Sequence, residues 1–300
     1  MALPPRRIIV GPAGALRLDA GRLPAPAARR PRFPATIERR YTATLLARVA
    51  LMQRLLVEQL QIGGALAATW DRVVARVDHA DDIVTDILQI VETVRRVAGE
   101  VLPLSPEELE AVAADVDTFA TGQQAEIFRR LAAVDVFSAE PLRNLYGSFV
   151  AENVDLITSI GDRYFAEIRQ TVTDAVRTGR RSADLAADIE ARYGVSQSRA
   201  KLIARDQIAK LNGQITEERQ TSVGVTRYMW SASGDERVRQ THRANDGKVF
   251  DWREPPATGH PGQDYQCRCV AIPIFDDADE AQVLAEQASR MAAESARLSA

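Results

Sequence analysis

From about Thr36 to Thr178 apolar side chains return in steps of three and four residues, a period that commits most of the chain to amphipathic helices. Leu45, Val49, Met52, Leu56 and Leu60 form one stripe, closed by Gly63-Gly64. Val73, Val77, Ala80, Val84, Ile87, Val91, Val94 and Ala98 form a second, which Ile83, Leu88 and Ile90 widen and Gly99 is expected to stop. A stripe this broad fits the core of an intramolecular bundle better than the narrow seam of a coiled coil. Ser105-Pro106-Glu107-Glu108 supplies a capping serine, a proline at the first helical position and a glutamate at the third, so a further helix starts there and runs to about Leu131. Another is expected over about Pro141 to Thr178, with Leu142, Leu145, Phe149, Leu156 and Ile160 inward and Gly179 after its end.

The pattern changes between Gly224 and Phe275, a stretch that holds both cysteines, two of the three histidines and two of the three tryptophans. "RYMW", ending at Trp230, alternates as a short strand, and "SGDERVRQTH" begins with turn residues and continues as a helix. On such a helix Asp235 and Arg239 share a face, with His242 three residues further along it. Asn245-Asp246-Gly247 signals a tight turn before a brief strand at Lys248-Val249-Phe250. A Pro-rich loop then carries His260 toward Cys267 and Cys269, and "VAIPIF" closes the block as an apolar strand. The expected fold class is α+β: a long, mainly α-helical N-terminal region followed by a small α+β C-terminal domain.

The ordered set "DERVRQTH", the Asp-Gly turn, "PP", "HPGQDYQCRC" and the closing strand resembles the C-terminal signature of the phage Mu protein F-like minor head (head morphogenesis) family. The preceding segment "RAKLIARDQIAKLN", Arg199 to Asn212, is similar to the helix that leads into that signature. The residues carrying the resemblance are Asp235, Arg237, Arg239, His242, Gly247, His260, Pro261, Cys267, Arg268 and Cys269, with "GQDYQ" standing between His-Pro and the cysteines. The resemblance implies a structural protein of a phage or prophage, acting in head assembly. The partners it implies are the portal protein and the major capsid or scaffold proteins. It further implies a place in the virion, at the head interior or portal region, after assembly in the host cytoplasm.

Three chemistries compete within this block. His242, His260, Cys267 and Cys269 are residues of the right type for tetrahedral zinc, although C-x-C is tighter than the usual cysteine spacing. Alternatively the cysteines are buried as small hydrophobes, and Asp235, Arg237, Arg239 and His242 form a hydrogen-bonded network in a domain with little apolar area. A metal-dependent nuclease would use His242 as general base or ligand, oriented by Asp246 or Asp235, with Arg239 on a phosphate. Against it, the chain has no carboxylate cluster at fixed spacing and no phosphate-binding glycine loop. No catalytic or cofactor-binding residue is therefore assigned. His79, among Asp78, Asp81 and Asp82, fits a solvated helix face better than a metal site.

A helix-turn-helix is a further reading of residues 182 to 212, with Gly194 as the turn, Ser196 as the cap, and Gln197, Arg199 and Lys201 toward bases. The alternative is two packed helices joined through Leu185, Ile189, Leu202, Ile203 and Ile208. The formal net charge of −3 argues against a protein that coats nucleic acid with its whole surface. Residues 1 to 40 differ: nine arginines oppose Asp19 and Glu38, and half of the prolines lie there. This is the pattern of a basic arm that contacts phage DNA or an acidic protein face. No apolar run reaches the length of a membrane span, and no membrane partner is expected. The expected division is a flexible arm at 1–35, a helical region at 36–180, the head-morphogenesis-like domain at 181–275 (a helix pair, then the α+β core) and a terminal helix at 276–300.

A Pro-rich segment without a buried face has no folded state to protect it, so limited trypsin digestion is expected to cut within residues 1 to about 35 first. A resistant arm would mean that it packs on the helices.

Overall fold

A computed structural model describes residues 31–60, 70, 80–132, 140–234 and 238–275, together with two short strands at 8–10 and 16–18. These strands, β1 (Ile8–Val10) and β2 (Leu16–Leu18), pair antiparallel within the segment expected to be an arm. The expected terminal helix, His79, Val73, Val77, Asp235 and Arg237 lie outside the described residues. No described helix is long and apolar enough to cross a membrane.

Among the described residues five long helices follow: α1 (Ala35–Leu60), α2 (Ala80–Val101), α3 (Pro106–Ala132), α4 (Arg143–Arg177) and α5 (Ser182–Ser222). The α1 stripe is buried as its spacing requires, with Tyr41 and Gln53 added to it. In α2 Ile87, Val91, Val94 and Ala98 are buried, but the helix continues past Gly99 to Val101. The expected stop fails because Leu102 still donates its N–H to the Ala98 carbonyl (2.8 Å) and is itself buried, so packing outweighs the helix cost of glycine, about 1 kcal/mol. The capping box that starts α3 is complete. Glu108 N–H donates to Ser105 Oγ (3.2 Å), and Ser105 N–H donates to Glu108 Oε2 (2.9 Å). In α4 the buried face passes through Tyr146, Phe149, Asn153, Ile157 and Ile160, while Leu142, Leu145 and Leu156 are only half-buried at its edge. Gly179 follows its end at φ 66°.

The expected helix pair is one helix. α5 runs unbroken for 41 residues through Gly194, so the turn of a helix-turn-helix does not exist. Its serines bond back within the helix rather than capping a new one: Ser196 Oγ donates to the Arg192 carbonyl (3.2 Å) and Ser198 Oγ to the Gly194 carbonyl (3.0 Å). Burial of Ile189, Ser196, Ala200 and Ile203 on both sides of Gly194 keeps the helix continuous through it. Arg199, expected to reach bases, donates to Ser159 Oγ on α4 (2.8 Å).

After α5 come β3 (Arg227–Ser231), the six-residue α6 (Gln240–Asn245), β4 (Val249–Asp251) and β5 (Val270–Ile274). They make a three-stranded antiparallel sheet in the order β4-β3-β5, with Met229 opposite both Val249 and Ile272 and Trp230 opposite Ala271. The α+β class follows. Pro273 sits in β5, an edge strand of this sheet, where a missing N–H is tolerated. Gly247, at φ 74°, makes the turn into β4 and donates to the Trp230 carbonyl (2.7 Å). Of the helix expected after the turn residues Ser233 and Gly234, the described part is Gln240–Asn245; Arg239, at its N-cap, is extended (φ −60°, ψ 149°), and residues 235–237 lie outside the described residues.

The chain forms two compact units. One comprises Met1–Ile37, Ala113–Tyr146 and Asp206–Ala300; the other comprises Glu38–Val112 and Gly147–Arg205. The second holds Tyr41 hydrogen-bonded to Asn153 (2.6 Å), Tyr164 bonded to Gln53, and Arg48 donating to the Val101 carbonyl (3.0 Å).

A β-carbon at Gly194 would meet no atom within 4 Å. Gly194→Ala is therefore expected to raise stability by about 0.5–1 kcal/mol, read as a higher denaturation midpoint in urea. A loss of stability would mean that the chain does bend there.

Candidate functional site

β3 and β5 lie side by side, and the segment leading into β5 brings Cys267 and Cys269 under Trp230. α6 faces them. It carries His242, which is 2% exposed, with Cys267 and Cys269 at 3% and 5%. The cluster of Tyr228, Trp230, Ala232, Trp252, Cys267, Cys269 and Ala271 is the small core of the block.

His242 presents its two ring nitrogens to different chemistry. Nδ1 lies 3.4 Å from Cys267 Sγ and 3.5 Å from Cys269 Sγ, while Nε2 lies 2.8 Å from Asp264 Oδ2. A carboxylate can only accept, so in the neutral imidazole Nε2 carries the proton and Nδ1 turns its lone pair toward the sulfurs. Asp264 is held in turn by Arg239, whose Nη1 donates to Oδ2 (3.1 Å) while its Nη2 donates to the Tyr265 carbonyl (2.7 Å). The extended backbone at Arg239 brings this guanidinium to the loop, where a helical residue would have pointed it along α6.

The ligand atoms of His242, Cys267 and Cys269 all lie within 4.8 Å of one another. Both cysteines are free thiols. The Cys267 thiol is drawn below the usual thiol range, chiefly by the hydrogen bond from Cys269, with burial opposing and the Gly262 N–H and the Cys269 N–H assisting. Cys269, which donates that bond, is pushed up by it and by burial. Gly262 N–H donates to Cys267 Sγ (3.4 Å), and the backbone of Ser233 bonds Cys269. The indole N–H of Trp230, fully buried, faces the Cys269 sulfur yet has no partner of ordinary hydrogen-bond geometry.

His260 stands outside this cluster. Its Nδ1 pairs with Tyr228 Oη (2.8 Å), its ring lies 4.9 Å from that of Trp252, and the Trp252 backbone takes a further hydrogen bond. Burial holds it below the usual histidine range. Its backbone N–H donates to Gln263 Oε1 (2.8 Å), which tightens the loop. Asp246, a candidate to orient His242, instead accepts from Ala232 N–H (2.7 Å). Arg268 is half-buried between the two cysteines. Asp264 was not singled out in the sequence, because one acid within "GQDYQ" has no spacing that marks it.

The His-Pro-Gly step has a packing explanation. Pro261 and Gly262 lie directly on α5 at Gly213, where a β-carbon would fall 2.5 Å from the Pro261 carbonyl oxygen. At Gly262, with φ 93°, a β-carbon would fall 2.7 Å from the Ala209 carbonyl oxygen. Two backbones thus meet with no side chain between them.

As a general base His242 is poorly placed: it is buried and both nitrogens are engaged. What the arrangement offers instead is a soft donor set of one imidazole and two sulfurs with its second layer in place.

The family described as Phage Mu protein F like protein matches residues 166–272, which supports the resemblance carried by the signature. An uncharacterized protein of Haemophilus influenzae is 44% identical over 134 residues, 44% of this chain and 30% of that protein. The chain thus matches less than a third of that relative's length. No solved structure matches.

The close contact at Gly213 makes a prediction opposite in sign to that for Gly194 on the same helix. Gly213→Ala is expected to destabilise by about 1–3 kcal/mol despite the better helix propensity of alanine, because the atom it meets is backbone and the loop must move. Equal stabilisation by both alanines in urea denaturation would show that the loop does not rest on α5.

Proposed function

We propose that the chain is a minor head protein of a phage or prophage that acts in head assembly, in association with the portal and the capsid interior. The observation that carries this reading is the match of residues 166–272 to the phage Mu protein F like family, over a segment in which the ordered signature recurs motif by motif. In this reading residues 181–275 are the head-morphogenesis-like domain, with the family match beginning in the helix before it at residue 166, and residues 36–180 are the helical region. The arginines of residues 1–35 contact packaged DNA or an acidic face of the portal, major capsid or scaffold proteins. The role is structural rather than enzymatic. It asks the C-terminal block for a fixed shape, and the buried histidine and cysteines serve that shape.

In a phage or prophage that encodes this chain, the protein is expected in purified heads by mass spectrometry, and an in-frame deletion is expected to lower the yield of infectious, DNA-filled particles. Absence from heads together with an unchanged titre would overturn the reading. The purified protein is expected to leave duplex and single-stranded DNA intact with magnesium, manganese or zinc. Cleavage that is lost in His242→Ala would favour a nuclease.

A further inference from the structure

We propose that His242 Nδ1, Cys267 Sγ and Cys269 Sγ are the three protein ligands of one zinc-class ion, with water in the fourth position, and that the ion clamps α6 to the entry of β5.

The geometry is the first argument. With Zn–N of roughly 2.0–2.1 Å and Zn–S of roughly 2.3 Å, a tetrahedral centre sets its nitrogen and sulfur ligands about 3.6 Å apart. Both sulfurs stand at nearly that separation from the same nitrogen, at 3.4 and 3.5 Å. Cys267 and Cys269, two residues apart and so on one face of the extended segment, converge on one imidazole nitrogen, and the lone pair of that nitrogen is turned toward them by the Nε2 contact to Asp264.

The surroundings of the ligands are the second argument. A ligating histidine characteristically gives its other N–H to a carboxylate, and Asp264, itself fixed by Arg239, fills that role. Thiolates in an apolar core need N–H donors, and here Gly262 serves Cys267 and Ser233 serves Cys269. The buried Trp230 indole N–H, which faces the Cys269 sulfur outside ordinary hydrogen-bond geometry, is placed to donate more strongly when Cys269 carries the full charge of a metal-bound thiolate. The three ligands are buried and join α6 to the segment entering β5, so the role inferred for the ion is to hold these two parts together. His260, committed to Tyr228 and Trp252, is not a ligand.

This inference is independent of the head-assembly reading, and the full chain in purified form tests it. After expression under reducing conditions, elemental analysis is expected to find one zinc per chain. Cobalt(II) added to metal-free protein is expected to give tetrahedral d–d bands and thiolate-to-metal charge transfer. Cys267→Ser, Cys269→Ser and His242→Ala should each abolish tight binding, and His260→Phe should keep one metal per chain. Asp264→Asn, which removes the carboxylate that positions His242, should weaken zinc binding 10–100-fold in a chelator competition. Should the ligand variants fail to fold, the wild-type protein still decides. No zinc on purification and no cobalt spectrum after reduction and refolding with metal would overturn the proposal. So would a Cys267–Cys269 disulfide in place of metal, or loss of the metal in a folded His260→Phe protein.

Discussion

The C-terminal block depends on a contact between two stretches of backbone: Gly213 on α5 against the Pro261–Gly262 peptide. A sheet of three short strands has little apolar area of its own, and what it lacks is supplied by the helix behind it. Around that contact, α5 offers buried polar groups to three separate parts of the block. Asp206 Oδ1 accepts the Gln266 N–H (2.8 Å), Gln220 Nε2 donates to the Ala271 carbonyl (3.2 Å), and Gln220 Oε1 accepts the Trp252 indole N–H (3.2 Å). Each such bond stabilises by only about 1 kcal/mol net, but leaving a buried partner unsatisfied costs about 1–3 kcal/mol. The bonds therefore act more as selectors of one arrangement than as a source of stability. Placing the loop on Gly213 and Gln266 on Asp206 fixes Asp264 between them, and Asp264 fixes His242.

The same helix is fastened from its other side by a buried ion pair. Arg219 donates to Asp117 Oδ1 (3.1 Å), to Thr121 Oγ1 (3.0 Å) and to the Glu140 carbonyl (2.7 Å), while Asp117 also accepts from Tyr146 Oη (2.8 Å). Burial works to raise the Asp117 carboxyl, but the bonds from Thr121, Tyr146, the Leu142 N–H and Arg219 hold it below the usual carboxylate range. The stability this adds is complete above the ordinary aspartate pKa of 3.8 and is lost as pH falls through the lowered value. A pair this deep costs much of its own attraction in desolvation, and its value lies in register. It ties the end of α5 to α3 and to the start of α4, so that the helix reaches the sheet in one orientation.

How much of this the sequence revealed depends on whether a feature is local. The α1 stripe, the Ser105 capping box, the turn at Gly247 and the strands around Trp230 and Ile272 were legible because each is decided by residues within a few positions of one another. Gly99 and Gly194 were misleading for the opposite reason. A glycine weakens a helix by about 1 kcal/mol, and burial of Leu102 in one case and of Ala200 and Ile203 in the other outweighs that. Arg239 looked helical by period, but its contacts to Asp264 and Tyr265 fix it as extended. Asp264 itself was invisible, since its importance arises only when a loop folds onto a helix. His260 was grouped with the cysteines because histidine and cysteine share metal chemistry, yet the aromatic cluster of Tyr228 and Trp252 provides a closer set of partners.

The signature motifs, once placed, turn out to be the two halves of individual contacts. The end of the lead-in helix, with Gly213 just past "AKLN", meets His-Pro-Gly; Arg239 and His242 meet Asp264; His242 meets C-x-C; Gly247 meets Trp230. This explains why the order of the motifs matters more than any one of them: each is meaningful only with its complement further along the chain. It also separates two kinds of signature. In a catalytic one the paired residues converge on a space that a substrate enters, whereas here His242, Cys267 and Cys269 converge on one another and are buried. What such a set specifies is the shape of a small block, held by complementary pairs of contacts rather than by apolar area.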